Sequence, residues 1–233
     1  MCRMFSYAGN SHTDIAELHK ALKSAARNDA YMARNGRAGQ CADGWGYVMA
    51  TQGRIFRYTT DIPIYDDRHT IPRISSKAYA IFHARKASDR RKLGVGFSHP
   101  FEDSGRDGLI FLAHNGLVRM DDQNDLTRSD TEYAMQIISE KGIEKGLEVL
   151  RGLTLTGLNL AILQVEKPEN SHALMYLNFY KNNHINYLKR YFELYYKRTD
   201  SGISVMSSSL LGYGIKPDGI VPYGVLGNIE RLG

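Results

Sequence analysis

The first two residues of the chain, Met1-Cys2, could support nucleophilic chemistry. A small residue after an initiator methionine favours removal of the methionine, which would leave a free α-amine on the residue that carries the thiol. Because an α-amine has a pKa of about 7.7–8.0, a fraction of it is unprotonated near neutral pH and can accept the thiol proton. A nucleophile and its base would then share one residue, although many unrelated proteins also begin with Met-Cys.

Two apolar runs end in groups that could stabilise or bind a substrate. Asn115 and Gly116 follow one run, and the asparagine amide together with the glycine backbone N–H could form an oxyanion hole. The simpler interpretation of Asn-Gly at a strand end is a hairpin turn. Arg85 follows the other run, where it is either a surface charge or a planar group that grips a carboxylate through two parallel hydrogen bonds.

Three further motifs carry candidate site residues. Ser129-Asp130-Thr131-Glu132 predicts a helix N-cap with an acidic first turn, in which Asp130 could also accept hydrogen bonds from a substrate ammonium. Asp43-Gly44-Trp45-Gly46 places two glycines around the tryptophan, which indicates close approach of a ligand or another strand. His99, in Ser98-His99-Pro100, could be a ligand, an acid–base group or a packed core histidine, and the structural role is favoured.

Periodic patterns predict the elements that must position these groups. Helical spacing predicts helices over residues 14–28, with Thr13 or Asp14 as N-cap, and over 130–141, continuing after Gly142 to Leu150. Thr51-Gln52-Gly53 predicts a hairpin turn. Short apolar or β-branched runs predict strands over 2–8, 45–50, 55–59, 77–85, 109–114, 158–165, 173–180, 191–197 and 203–207. Strands that flank a helical middle predict an α+β or layered αβ protein and argue against a doubly wound sheet.

Composition indicates an ordinary globular protein. The 233 residues, 42% of them hydrophobic, predict one domain over residues 1–233. No apolar run reaches the roughly 18 residues of a membrane span, and the polar N-terminal residues do not resemble a signal peptide, so a cytoplasmic protein with no membrane partner is predicted. The basic residues behind the net charge of +5 are dispersed, which makes nucleic acid an unlikely partner. Cys2 and Cys41 are not expected to pair in a reducing compartment.

Six motifs, taken in their order along the chain, resemble those of the class II glutamine amidotransferases. They are Met-Cys-Arg at 1–3, Asp-Gly-Trp-Gly at 43–46, His-Ala-Arg-Lys-Ala-Ser at 83–88, Ser-His-Pro-Phe at 98–101, Ala-His-Asn-Gly at 113–116 and Ser-Asp-Thr-Glu at 129–132. The resemblance covers residues 2–132, with a weaker echo at 205–209, and is strongest to stand-alone members of the ergothioneine-pathway amidohydrolase type. It implies the four-layer αββα sandwich of the N-terminal nucleophile hydrolases.

The resemblance also implies a catalytic role for three residues. Cys2 would attack the side-chain amide carbon of glutamine, helped by its own α-amine. Asn115 and the Gly116 backbone N–H would hold the tetrahedral oxyanion. Ammonia would leave, and water would hydrolyse the thioester to give glutamate.

Substrate binding is implied for three more residues. Arg85, assisted by Ser88, would bind the α-carboxylate of glutamine, and Asp130 would bind its α-ammonium. One fixed positive and one fixed negative group suit the zwitterionic head of an amino acid. Asp43, Gly44, Trp45 and His99 are candidate pocket residues. No metal ion and no organic cofactor are required.

Two departures from the family pattern leave the substrate open. Gln40-Cys41-Ala42 stands where fused relatives often have a basic residue, and Asp89-Arg90 stands where they often have His-Gly. A γ-glutamyl amide other than glutamine therefore remains an alternative substrate. A non-catalytic glutamine-binding module is a third hypothesis, which retention of Met1 would favour. No ammonia acceptor is recognised in the chain, so either a partner synthase subunit takes the ammonia or the enzyme is a simple amidohydrolase.

Overall fold

A computed structural model describes residues 2–29, 39–105, 108–166, 171–181 and 190–232. The longer α-helices in these ranges are α1 (His12–Arg27), α2 (Asp130–Lys141) and α3 (Ile143–Leu153). The strands are β1 (Arg3–Gly9), β2 (Trp45–Thr51), β3 (Arg54–Thr60), β4 (Ala78–Ala84), β5 (Phe101–Gly105), β6 (Gly108–Val118), β7 (Thr154–Val165), β8 (His172–Leu177), β9 (Leu194–Thr199), β10 (Gly202–Ser207), β11 (Gly219–Ile220) and β12 (Leu226–Asn228).

Two antiparallel sheets lie at the centre of the described structure. One sheet has the strand order β11-β9-β10-β1-β4-β2-β3, and the other has the order β12-β8-β7-β6-β5. Alternate residues of a strand point to opposite faces, so Phe5 and Tyr7 of β1 pack towards α1 while Met4 packs between the sheets. In the other sheet Phe111 packs between the sheets and Ile110 towards α2. The layers are therefore helix, sheet, sheet, helix, as predicted.

The predicted helices are confirmed with one correction at a cap. The N-cap of α1 is Ser11, whose hydroxyl accepts from Asp14 N at 3.0 Å, so the prediction of Thr13 or Asp14 as the cap was wrong. Ser129 caps α2 in a reciprocal capping box with Glu132, as its motif predicts. Gly142, with φ of +82°, separates α2 from α3.

The predicted strands and the hairpin turn between β2 and β3 are also confirmed, with shifted ends. The strand predicted over 191–197 begins only at Leu194, because residues 190–192 form a helical turn. The strand predicted over 109–114 continues to Val118. The short strands β5, β11 and β12 were not predicted.

Strand direction brings the ends of the chain motifs together. β1 is antiparallel to β4 with Arg3 opposite Ala84, so the residue before β1 lies beside the residues that follow β4. Cys2 is therefore next to the segment that begins at Arg85. In the part of the chain that the structure describes, no helix is both long enough and apolar enough to cross a membrane.

Candidate active site

The Cys2 side chain lies at the edge of a cavity of about 140 Å³. Its Sγ accepts a hydrogen bond from Lys86 N at 3.4 Å and lies 3.6 Å from Lys86 O. The residue is 8% exposed, so the thiol is sheltered from bulk water but open to the cavity. A thiol held in this way can meet a small molecule that enters the cavity.

Asn115 connects the nucleophile to the second sheet. Its Oδ1 accepts a hydrogen bond from the backbone N of Cys2 at 3.0 Å. The side chain is fully buried, and its Nδ2 has no hydrogen-bond partner among the described residues. An unpaired buried donor costs about 1–3 kcal/mol, so such groups call for an explanation. A donor kept free beside a nucleophile is suited to receive an oxyanion.

Gly116 lies beside Asn115 inside β6, so the interpretation of Asn115-Gly116 as a hairpin turn was wrong. Both residues pair with β7, and the register shifts between Gly116 and Val118. The φ of Gly116 is +153°, and a Cβ there would overlap the carbonyl oxygen of Gly157. Only glycine allows the two strands to approach this closely.

Arg85 provides a buried positive charge in the wall of the cavity. Its Nη2 donates to Lys92 O at 2.8 Å and its Nη1 to Asp43 O at 3.5 Å. Among the described residues no carboxylate forms an ion pair with it, and it is 6% exposed. Burial lowers the pKa of Arg85, opposed by the charges of Cys2 and Asp43, so an incoming anion would relieve an unfavourable state.

Asp130 provides a negative charge in the lining of the same cavity. Its Oδ2 accepts a hydrogen bond from Val118 N at 3.1 Å, and its side chain is 18% exposed. The position at the start of α2, after the N-cap Ser129, fixes the carboxylate near the end of β6. The cavity is therefore lined by one guanidinium and one carboxylate, together with Cys2.

Asp43 and Gly44 hold the segment that follows β4. Asp43 Oδ2 accepts from Ala87 N at 2.9 Å, and Gly44 O accepts from Arg85 N at 2.8 Å. The φ of Gly44 is +110°, a conformation that favours glycine. These two residues support the cavity wall from behind, whereas Ser88 lies on the cavity and is exposed.

Trp45 lies away from the cavity. Its ring is buried in the core between α1 and the first sheet, and its Nε1 donates to Asp67 Oδ2 at 2.8 Å. The glycine that follows, Gly46, is explained by strand packing, because a Cβ there would meet the carbonyl oxygens of His99 and Tyr58. The close backbone approach indicated by the motif is thus to β3 and to the segment before β5.

His99 lines the cavity and belongs to a buried pair with His83, a residue not predicted from the sequence to be part of the site. His99 Nδ1 lies 2.8 Å from His83 Nε2, which lies 3.2 Å from the carbonyl oxygen of His114. A carbonyl only accepts, so we assign a proton to His83 Nε2 and the acceptor role to His99 Nδ1. Burial lowers the pKa of His83 to about 3 and that of His99 well below the usual value, so both rings are neutral.

Neutral buried histidines predict a fall in stability on mild acidification. The unfolded chain binds protons near pH 6.5, whereas folded His83 and His19, with pKa values lowered by burial to about 3 and about 4, do not. The free energy of unfolding should fall below about pH 6.5 by up to about 1.4 kcal/mol per pH unit for each such histidine. Urea unfolding between pH 7.5 and 5.5 measures this slope. His19→Gln should reduce it, and an equal slope in the variant would contradict the explanation.

The sequence matches no protein-family model, and no curated protein matches it either. The fold matches a solved structure described as the allosteric regulatory enzyme of purine biosynthesis, with a TM-score of 0.62 and 14% sequence identity over 99% of this chain. The chain has the fold of the N-terminal nucleophile hydrolases. It spans 47% of the length of that enzyme chain. A second solved structure, a predicted glutamine amidotransferase from Pseudomonas aeruginosa PA01, has a TM-score of 0.40, with 14% identity over 97% of this chain and 88% of the other.

The N-terminal nucleophile hydrolase fold collects most of the site residues predicted from the sequence around one cavity. Those that line it are Cys2, Arg85, Ser88, His99, Gly116 and Asp130. Asn115 lies directly behind Cys2, and Asp43 and Gly44 support the wall. His83 and His114 were not predicted as site residues, although they lie inside the motifs at 83–88 and 113–116, because a lone histidine in a sequence gives no signal of its contacts.

Proposed function

We propose that the protein is a class II glutamine amidotransferase that hydrolyses the side-chain amide of L-glutamine to glutamate and ammonia. One observation carries the proposal: the backbone N of Cys2 bonds to Asn115 Oδ1 at 3.0 Å, while the Nδ2 of the same amide is buried and unpaired among the described residues. The nucleophile and a free oxyanion donor are thereby joined through one side chain. Removal of Met1 is part of the proposal.

The chemistry follows from that arrangement. Once Met1 is removed, the Cys2 nitrogen is an α-amine, and a hydrogen bond to Asn115 Oδ1 holds it while its lone pair accepts the thiol proton. The thiolate attacks the amide carbon, and the oxyanion is stabilised by Asn115 Nδ2 and Gly116 N–H, each worth about 3–4 kcal/mol. The C–N bond breaks as the protonated α-amine gives the proton to the leaving amide nitrogen, which departs as ammonia. Water then attacks the thioester and releases glutamate and the free thiol.

The charges of the cavity support an amino-acid substrate. Arg85 would bind the α-carboxylate through its planar fork, with Ser88 nearby, and Asp130 would bind the α-ammonium. Ser88 is exposed, so the cavity is open to solvent on this side. A γ-glutamyl amide of a larger amine is therefore the second candidate substrate.

The use of the ammonia is also part of the proposal. We expect either that a synthase subunit consumes the ammonia or that the protein is a simple amidohydrolase. In both cases we expect a single cytoplasmic domain over residues 1–233 that needs no metal ion or cofactor. The solved enzyme with the similar fold is about twice as long as the matched region. A binding partner that raised glutamine turnover would favour the first arrangement.

Amide hydrolysis by tag-free protein tests the proposal. The intact mass should show that Met1 is absent, and L-glutamine should yield glutamate faster than γ-glutamyl-p-nitroanilide yields nitroaniline. Hydroxylamine should divert the thioester to γ-glutamyl hydroxamate. A protein without Met1 that cleaves only the anilide would indicate the second substrate class. Retention of Met1 together with glutamine binding and no turnover would indicate a non-catalytic module.

Arg85→Lys is expected to weaken glutamine binding by tenfold or more. Lysine keeps the charge but cannot form two parallel hydrogen bonds to a carboxylate, and a tenfold loss corresponds to about 1.4 kcal/mol. Calorimetric titration with glutamine, in a Cys2→Ala background that prevents turnover, measures the dissociation constant. Arg90→Lys is the matched control, since the Arg90 side chain is 80% exposed. Equal affinities in the two variants would remove Arg85 from the carboxylate site.

A further inference from the structure

The residue after the nucleophile carries a charged side chain in the core. Arg3 has a side chain that is 2% exposed, and its Nη1 donates to the carbonyl oxygen of Cys2 at 2.6 Å. Nη1 also bonds to the hydroxyl of Tyr191, and Nη2 forms an ion pair with Asp29. The guanidinium lies over the Tyr191 ring, 4.1 Å from its centre. None of these contacts is used by the glutaminase chemistry itself.

A buried ion pair such as Arg3–Asp29 carries a large desolvation cost. Removing a guanidinium and a carboxylate from water costs several kcal/mol per ion, and apolar residues of similar size often replace such pairs without loss of stability. Burial lowers the pKa of Arg3 to about 10, so the group stays charged near neutral pH. Stability alone is therefore a weak reason for the pair, and its contact with Cys2 suggests another.

The Arg3 contacts gather segments that are far apart in sequence. Asp29 follows the end of α1, and Tyr191 lies in the turn before β9. The carbonyl of Phe192, next to Tyr191, accepts a hydrogen bond from Asn159 Nδ2 at 2.5 Å. Asn159 pairs with Asn115 across β6 and β7. The Arg3 cluster is thus linked to the strand that carries the proposed oxyanion donor.

Cys2 is fixed on both sides of its Cα atom by these contacts. Its backbone N bonds to Asn115 Oδ1, and its carbonyl oxygen accepts from Arg3 Nη1. With its nitrogen and its carbonyl oxygen both held, rotation about χ1 is the freedom that remains for the thiol. Misplacement of a reacting group by about 1 Å can lower a rate about a hundredfold, so this restraint has consequences for turnover.

We propose that Arg3 is a positioning residue for the Cys2 nucleophile: the buried Arg3–Asp29 pair, braced by Tyr191, fixes the Cys2 carbonyl and so holds the thiol and α-amine in their reactive arrangement. The proposal rests on the proposed function for its catalytic readout. It is independent of that function in its second readout, the chemical reactivity of the thiol.

Steady-state kinetics of Arg3→Lys give the first test. Lysine keeps a positive charge for Asp29 but cannot reach the carbonyl, the hydroxyl and the carboxylate together. We expect kcat for glutamine to fall by about tenfold to a hundredfold, within the range for a misplaced group, while KM changes little. Arg151→Lys is the matched control. Arg151 lies on α3, is half-buried, and donates to the backbone carbonyl oxygen of Gly224 at 2.7 Å. Unchanged kcat in folded Arg3→Lys, or a rise in KM alone, would overturn the proposal.

The rate of Cys2 alkylation by iodoacetamide gives the second test. Peptide mass spectrometry separates Cys2 from Cys41, and we expect Arg3→Lys to slow Cys2 modification several-fold relative to the wild type and the Arg151→Lys control. If Arg3→Lys does not fold, Tyr191→Phe removes only one hydroxyl from the cluster and should slow alkylation in the same direction. Equal rates in the folded variant would overturn the positioning role. Failure of the wild type to cleave any γ-glutamyl amide would instead overturn the proposed function.

Discussion

Cys2→Ala is expected to lower glutamate release to background, a loss on the order of 10⁴-fold or more, as found when a covalent nucleophile is removed. The substitution removes the one atom that would form the thioester. Little else should change, because the described contacts of the thiol are those to the Lys86 backbone at 3.4 and 3.6 Å. A coupled glutamate assay measures the loss.

Glutamine binding should survive the same substitution. The groups assigned to the amino-acid head, Arg85 and Asp130, are unaltered, and alanine at position 2 keeps the backbone bond to Asn115. Calorimetric titration of Cys2→Ala with glutamine should therefore give a measurable dissociation constant. A folded variant that neither binds nor turns over glutamine would show that Cys2 has a structural role that the proposal does not include.

Cys41→Ala is the matched control for thiol chemistry. Cys41 is fully buried, and burial raises the pKa of its thiol to about 11, so the group is protonated and unreactive near neutral pH. Its replacement should leave glutamate release within a few-fold of the wild type. Turnover that persisted in Cys2→Ala and disappeared in Cys41→Ala would show that Cys41, and not Cys2, is the nucleophile.

The helices could be predicted from the sequence because their signals are local. Apolar residues at helical spacing and the Ser129–Glu132 capping box lie within one or two turns of each other. The error at the start of α1 has the same origin, since Ser11, Thr13 and Asp14 are all acceptable caps and local propensity does not rank them. The two-residue strand β11 and the three-residue β12 could not be predicted, because they exist only through pairing with β9 and β8.

The residues of the site also differ in whether they could be predicted from the sequence, depending on whether their roles rest on local or on distant contacts. Cys2, Arg85 and Asp130 stand in motifs with recognisable chemistry and could be proposed from the sequence. The role of Arg3 could not, because it depends on Tyr191, 188 residues away, and on a buried carboxylate after α1. Asn115-Gly116 shows how sheet pairing overrides local preference, since a dipeptide typical of turns is held inside β6 by β7.

Gly116→Ala is expected to have the largest structural effect of any single change at the site. Two effects destabilise the variant. The φ of +153° is one that residues with a side chain rarely adopt, and the new Cβ would overlap the carbonyl oxygen of Gly157. The same carbonyl lies 3.1 Å from His114 Nε2 and belongs to β7, so it cannot move without separating β6 from its neighbour. We expect about 3 kcal/mol of lost stability, from strain and overpacking together, and a fall in kcat of at least tenfold.

Gly94→Ala separates the two costs of that substitution. Gly94 also has a positive φ, +116°, but a Cβ there would have no neighbour within 4 Å. The control should therefore show the backbone strain alone, about 1 kcal/mol, and near-normal kcat. Urea unfolding and glutamate release, measured on both variants, distinguish the effect of backbone strain from that of the Cβ overlap. Equal effects in the two would assign the cost to φ, whereas a larger loss in Gly116→Ala would mean that close contact between β6 and β7 maintains the oxyanion hole.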